Sequence, residues 1–229
     1  MIRIVKSSIP AVLKKHASAW TKELKKAISS GKSSVSVRRR RYNHPEIKRA
    51  LIAETHGKCA YCESKLLHIA YGDIEHIIAK TNDPSQTYAW KNLTLACDVC
   101  NTSKGNTDGV IDPYAVDPEE HFQFLGPMIT PKFGSEIAKL TLIILRLNRT
   151  PLLERRTEKI VQFVRSLEEI LKTPDERVRR VLVRALTVDE TAADKEFAAC
   201  ARSFVLNRQR EGALPTGPIT SPYTTASSR

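Results

Sequence analysis

Apolar residues recur at spacings of three and four from Pro10 to Ile28, where Leu13, Ala17, Trp20, Leu24 and Ile28 form one stripe and lysines cover the rest. That period predicts an N-terminal amphipathic helix with one buried face. Ser29 to Ser36 has no period and is rich in Ser, Gly and Lys, which predicts a mobile loop carrying Arg38 to Arg41 at its far end. Pro45 suits a first helical turn, Ile47, Ala50 and Leu51 share a face, and Gly57 supplies a left-handed stop. The pattern then changes. Tyr71 to Ile78 alternates enough for a short strand, Lys80 to Gln86 is a polar loop, Asn92 to Ala96 is a second strand, and Asn101 to Gly105 opens a short helix or turn.

Beyond Gly109, Asp112 to His121 is acidic and turn-rich, and an apolar element surrounds Leu140, Ile143, Ile144 and Leu147. Ile160, Phe163, Val164, Leu167 and Leu171 make one helical face. Thr173-Pro174-Asp175-Glu176 combines an N-cap, a first-turn proline and a capping-box glutamate ahead of Val178, Val181, Leu182 and Ala185. Phe197, Ala201, Phe204 and Val205 mark a last helix, and these stripes are expected to be core. The expected division is therefore a basic helical arm and loop (1–44), a compact core (45–110), a connection with a helical region (111–212) and a disordered tail (213–229).

Charge is distributed unevenly. The formal net charge is +12, and the first fifty residues hold the whole excess, so Arg38, Arg39, Arg40 and Arg41 are candidates for contact with a phosphate backbone. No stretch approaches the ~20 apolar residues of a membrane span, and the N-terminus lacks the apolar core of a signal peptide. A cytoplasmic protein is expected, with cysteines kept for metal and not for disulfides.

The candidate chemistry lies between residues 59 and 105. A C-x-x-C turn aims two sulfurs at one ion, and two such turns, Cys59/Cys62 and Cys97/Cys100, complete a tetrahedron suited to structural Zn2+. A redox pair and unpaired buried thiols are the other uses of this spacing. Cys200, alone in an apolar helical stretch, is read as packing. Between the pairs stand Glu75 and His76, and Asn101 and Lys104 follow the second pair. Phosphodiester hydrolysis needs a nucleophilic water, a base and a cation. His76 can be the base, Glu75 and Asn101 offer hard oxygens to Mg2+ or Mn2+, and Lys104 offers a charge for phosphate.

At these residues the chain resembles the HNH endonucleases, whose zinc-bearing members carry C-x-x-C, Asp/Glu-His, Asn-Leu and C-x-x-C-Asn-x-x-Lys-Gly in that order; the matching stretch is Cys59 to Gly105. The resemblance implies a ββα-metal core in which Cys59, Cys62, Cys97 and Cys100 hold zinc and His76 is the general base. It makes Glu75 and Asn101 ligands of the catalytic Mg2+ or Mn2+, and Asn92 the middle asparagine that holds the active-site loop. Glu75 replaces the commoner aspartate, and Asn101 stands where a final histidine would be. Ile111-Asp-Pro, Pro118-Glu-Glu-His and Leu145-Arg-Leu-Asn-Arg resemble, more diffusely, HNH proteins of bacterial anti-phage systems of the Septu type, also found with retrons. That likeness implies an ABC/SMC-like ATPase partner and, in retron settings, a reverse transcriptase with its RNA/DNA.

The expectation is a helix-dominated α+β protein with a zinc-stabilised ββα-metal core, an N-terminal helical arm and a C-terminal helical bundle. It would hydrolyse nucleic acid, DNA first and RNA second, as a defence effector. Two other readings use the same residues: a non-catalytic zinc-knuckle module that binds nucleic acid with His76 structural, and a partner-docking subunit that works through its bundle.

Overall fold

The computed structural model describes residues 1–31, 33–66 and 71–214. Helix α1 (Ala11–Ser29) begins after Pro10, and its buried residues are Leu13, Leu24 and Ala27. Ile28, expected on the buried stripe, turns outward, because Ala27 takes the inward position in the last turn. The arginine run is helical and does not end a loop: it occupies α2 (Val35–Arg39) and a following 3-10 turn, Arg40–Tyr42. Arg41 is ion-paired to Glu23 of α1 at 2.8 Å.

Helix α3 (Pro45–Glu54) is started by Pro45 and by the His44 side chain, which accepts from the Glu46 amide. It stops where Gly57 takes a positive φ of 67°. The first cysteine pair follows. Strands β1 (Asp73–His76) and β2 (Leu93–Ala96) pair antiparallel, with Glu75 opposite Thr94 and His76 opposite Leu93. Helix α4 (Asp98–Lys104) starts earlier than expected, at the second cysteine pair, because Cys97 is its N-cap. Asn101 is thus in mid-helix, and the element order β1, β2, α4 is the ββα unit.

A second hairpin, β3 (Phe122–Leu125) with β4 (Met128–Pro131), turns at Gly126 and was not legible as strands. Helix α5 (Glu136–Ile144) follows, and Asn148 ties the hairpin to it by accepting from the Ile129 amide and donating to the Ile129 carbonyl. Helices α6 (Thr150–Leu171), α7 (Glu176–Glu190) and α8 (Ala198–Arg210) complete the chain. Phe163, Val183 and Val205 from these three helices, with Leu214, form a small separate apolar cluster.

Two expectations for α7 are corrected. Its N-cap is Asp175, whose carboxylate accepts from the amides of Arg177 and Val178; Thr173 lies outside the helix. The stripe of Val178, Val181 and Leu182 faces outward at 47%, 67% and 39% exposure, while Val183 is buried. Periodicity marks the faces of a helix, but α6 and α8 decide which one is covered. Cys200 is buried, as packing requires. Ala213 and Leu214 are not free: both amides donate to the Arg208 carbonyl, and the rest of the expected tail, 215–229, lies outside the described residues.

The main core draws on residues from the N-terminal arm to the start of α8. One cluster joins Leu13 and Leu24 of α1, Leu51 of α3, Leu93 and Leu95 of β2, Ile129 of β4 and Phe197 at the start of α8. Polar ties reinforce it: Lys58 Nζ donates to the Ala193 and Lys195 carbonyls at 2.6 and 2.8 Å, and the Ala199 amide donates to Glu63. Among the described residues no helix is long and apolar enough to cross a membrane.

Candidate metal centre and active site

The four cysteines converge. Their Sγ atoms all lie within 4.8 Å of one another and all four residues are buried. Zn–S bonds of about 2.3 Å in a tetrahedron place sulfurs about 3.8 Å apart, and Cys62 and Cys97 are 3.9 Å apart. The donors therefore fit one zinc ion. All four cysteines are buried together, so four thiolates here require a compensating cation.

A positive charge reaches these sulfurs from far along the chain. The Arg149 guanidinium sits 3.7 Å from Cys100 Sγ through both terminal nitrogens and 3.8 Å from Cys97 Sγ through Nη2. A zinc tetrathiolate carries two net negative charges, and Arg149 offsets part of that charge in a buried setting. Its role could not be read from the cysteine motif, although it ends the Leu145-Arg-Leu-Asn-Arg segment.

Beside this centre, β1 and α4 frame a cleft of ≈ 240 Å³ lined by Glu75, His76, Ala79, Lys80, Asn101, Thr102, Gly105 and Asn106. His76 is 2% exposed. Its Nε2 lies 3.0 Å from the Thr87 carbonyl, while Nδ1 has no hydrogen-bond partner among the described residues. A carbonyl only accepts, so Nε2 carries the proton and Nδ1 the free lone pair. Tyr42, which ends the arginine-bearing turn, packs its ring edge-on against the imidazole at 4.5 Å.

Asn92 is buried and joins both ends of the segment between the strands. Its Oδ1 accepts from the Ile78 amide at 2.7 Å, and its Nδ2 donates to the carbonyls of Ile78 and Gln86. Because Thr87 is next to Gln86, this amide fixes the carbonyl that orients His76.

Lys104, expected to offer a charge for phosphate, is turned inward. Lys104 is 1% exposed, and its ammonium is committed to Glu75 Oε1 at 3.0 Å and the His76 carbonyl at 2.8 Å. It clamps α4 to β1 and steadies Glu75. Burial raises the Glu75 carboxyl, and the Lys104 ammonium opposes that rise. Asn101 donates its Nδ2 to Asp73 Oδ2 at 2.9 Å, which leaves its Oδ1 and the second Glu75 oxygen as hard donors. Such a sparse oxygen set suits a Mg2+-like ion that retains several waters. Of the arginines, Arg38 and Arg39 have buried, unpartnered Nε atoms, Arg40 is exposed and Arg41 is held by Glu23.

Burial lowers the His76 imidazole from 6.5 to about 4, against a smaller raising effect of the Thr87 hydrogen bond. Between those values the unfolded chain binds a proton that the folded chain refuses. The stability contributed by the neutral ring is thus complete above pH 6.5 and is lost as pH falls toward 4. His76→Ala should lose less stability over that window, by up to about 3 kcal/mol. Denaturant titrations at several pH values measure this; equal slopes in both proteins would contradict a buried neutral ring.

Residues 59–107 match the family model described as HNH endonuclease. The chain is similar to the Septu protein PtuB of Bacillus thuringiensis, 31% identical over 114 residues that cover 47% of this chain and 43% of that protein. It is also similar to the Septu protein PtuB of Bacillus mycoides, 27% identical over 152 residues that cover 51% and 52% of the two chains. The alignments thus span about half the length of these relatives. Residues 59–107 form an HNH endonuclease domain, within a helix-dominated fold that brings its four cysteines together.

Proposed function

We propose that the protein is a metal-dependent endonuclease that hydrolyses phosphodiester bonds, DNA first, as the effector of an anti-phage system. The observation that carries this reading is His76, a neutral imidazole with Nε2 fixed by a carbonyl and Nδ1 unpartnered, lining one cleft with Glu75 and Asn101. His76 Nδ1 takes the proton of the attacking water, and the Thr87 carbonyl stabilises the imidazolium that forms. Asn92 holds the Thr87 segment, and Lys104 opposes the rise that burial imposes on the Glu75 carboxyl and holds that side chain in place. A divalent cation on Glu75 and Asn101 would supply Lewis-acid neutralisation of charge on the phosphate and leaving oxygen.

The likeness to the Septu proteins supports the defence role and, with it, an ABC/SMC-like ATPase partner; a retron reverse transcriptase is a further partner within this proposal. The basic α1–α2 arm supports binding to a phosphate backbone.

The test is cleavage of plasmid and of structured RNA across Mg2+ and Mn2+ titrations, alone and with a candidate ABC/SMC-like ATPase added. Wild type should cut in a metal-dependent way. Glu75→Ala and Asn101→Ala should shift the metal response to roughly 10-fold or higher concentrations, with excess Mn2+ restoring part of the rate. Metal-independent behaviour in all three proteins would refute the assignment.

A further inference from the structure

With Lys104 buried against Glu75, the cleft still holds one lysine. Lys80 follows β1 and lines the cleft with Glu75, His76 and Asn101. It is half-buried, and among the described residues its ammonium has no carboxylate at ion-pair distance. Its one hydrogen bond is to the Tyr42 hydroxyl at 3.3 Å, with the ammonium 5.2 Å from the centre of that ring. A phenol is a weak partner for a half-desolvated ammonium.

The backbone presents this side chain deliberately. The Ala79 amide donates to Asp108 Oδ1 at 2.8 Å, and Asn82 Nδ2 donates to Asp108 Oδ2 at 2.8 Å, so one carboxylate pins both flanks of Lys80. Lys80, Glu75 and His76 line the same cleft, so its ammonium stands beside both the proposed metal ligand and the proposed base. An anion entering the cleft would meet this ammonium.

We propose that Lys80 contacts the scissile phosphodiester directly and stabilises the charge that grows on its oxygens, with Tyr42 parking the ammonium until nucleic acid arrives. The proposal rests on the nuclease reading above. Two lysines then divide the work: Lys104 serves the protein's own carboxylate, and Lys80 serves the substrate. The Tyr42 contact also links the arginine-bearing turn to the cleft, so a backbone held by the arm is delivered beside Lys80.

The experiment compares wild type with Lys80→Ala, Lys80→Gln and Lys80→Arg, and with Lys172→Ala as a control for one lost surface charge. Each is checked for zinc content and melting temperature. Single-turnover cleavage should fall about 100-fold in Lys80→Ala and Lys80→Gln, comparable to losing one preorganised transition-state donor, and Lys80→Arg should recover most of it. In a His76→Ala background that binds without cutting, anisotropy on a short duplex is measured against salt. Lys80→Ala should flatten the slope of log K against log salt by about 0.9, one phosphate contact, and Lys172→Ala should not. Unchanged cleavage and slope in folded Lys80→Ala and Lys80→Gln would overturn the proposal while leaving the nuclease reading intact. If wild type cuts nothing under any metal, the nuclease reading fails, and an unchanged slope then overturns the Lys80 contact independently.

Discussion

His76→Ala is expected to fold, keep its zinc and bind nucleic acid, yet cleave roughly 100- to 10,000-fold more slowly than wild type, the usual contribution of a positioned general base. The size of the loss follows from the geometry. Nε2 is held by the Thr87 carbonyl and, among the described residues, Nδ1 has no hydrogen-bond partner, so its lone pair is free to take a proton. A base lowered to about 4 is fully neutral at working pH and trades basicity for complete availability. The truncation opens a void against Tyr42, which would cost stability through lost packing. His76→Gln guards against that confusion, because its amide can still donate to Thr87 while lacking a base. Cleavage rates, zinc content and duplex affinity are measured on the same preparations. Full activity in folded, zinc-loaded His76→Ala would remove the base assignment and favour a binding module built on the cysteine knuckles.

Removing zinc should have the second large effect, on the fold itself. Structural zinc sites contribute about 10–16 kcal/mol in small modules, whereas a whole domain is stable by only about 5–15 kcal/mol. The metal contribution is as large as the entire margin. Elemental analysis should find one zinc per chain. Prolonged chelation or Cys97→Ser should abolish the cooperative melting transition or give insoluble protein, and returning Mg2+ or Mn2+ alone should not restore it. Arg149→Met is the graded version: it keeps all four sulfurs and should weaken zinc retention about 10- to 100-fold, the usual cost of an outer-shell partner. Folded, melting-competent protein with no zinc would sink this account.

The features legible in the sequence were those encoded by short spacings. Two C-x-x-C turns place sulfurs by local backbone geometry, and Pro45 and Gly57 bound α3 through their own φ preferences. What escaped was set by distant partners. Lys104 looks like a phosphate ligand until the packing of α4 on β1 buries it. Val178, Val181 and Leu182 form as good a stripe as the face that is actually covered, and only the positions of α6 and α8 choose between them. The hairpin of Phe122–Leu125 and Met128–Pro131 is too short and too close to prolines to show a period. Arg149 meets its sulfurs across 49 and 52 positions of chain, beyond the reach of any motif. The role of Asn92 came from the family resemblance, that of Asn101 from its amide oxygen and the resemblance together, and that of the arginine run from its charge alone.

The polar ties between the first cysteine turn and the region ahead of α8 bear on how such a domain can be moved or shortened. Lys58 leans on the Ala193 and Lys195 carbonyls, Glu63 accepts from Ala199, and Arg149 shields the sulfurs. A fragment trimmed to the ββα motif would leave the Lys58–Glu63 ion pair without its carbonyl and amide partners and the metal's excess charge unshielded. The motif is therefore not a portable cassette. Its tolerance to transplantation, and its freedom to drift in sequence, are limited by carbonyls and a guanidinium supplied from the other half of the chain.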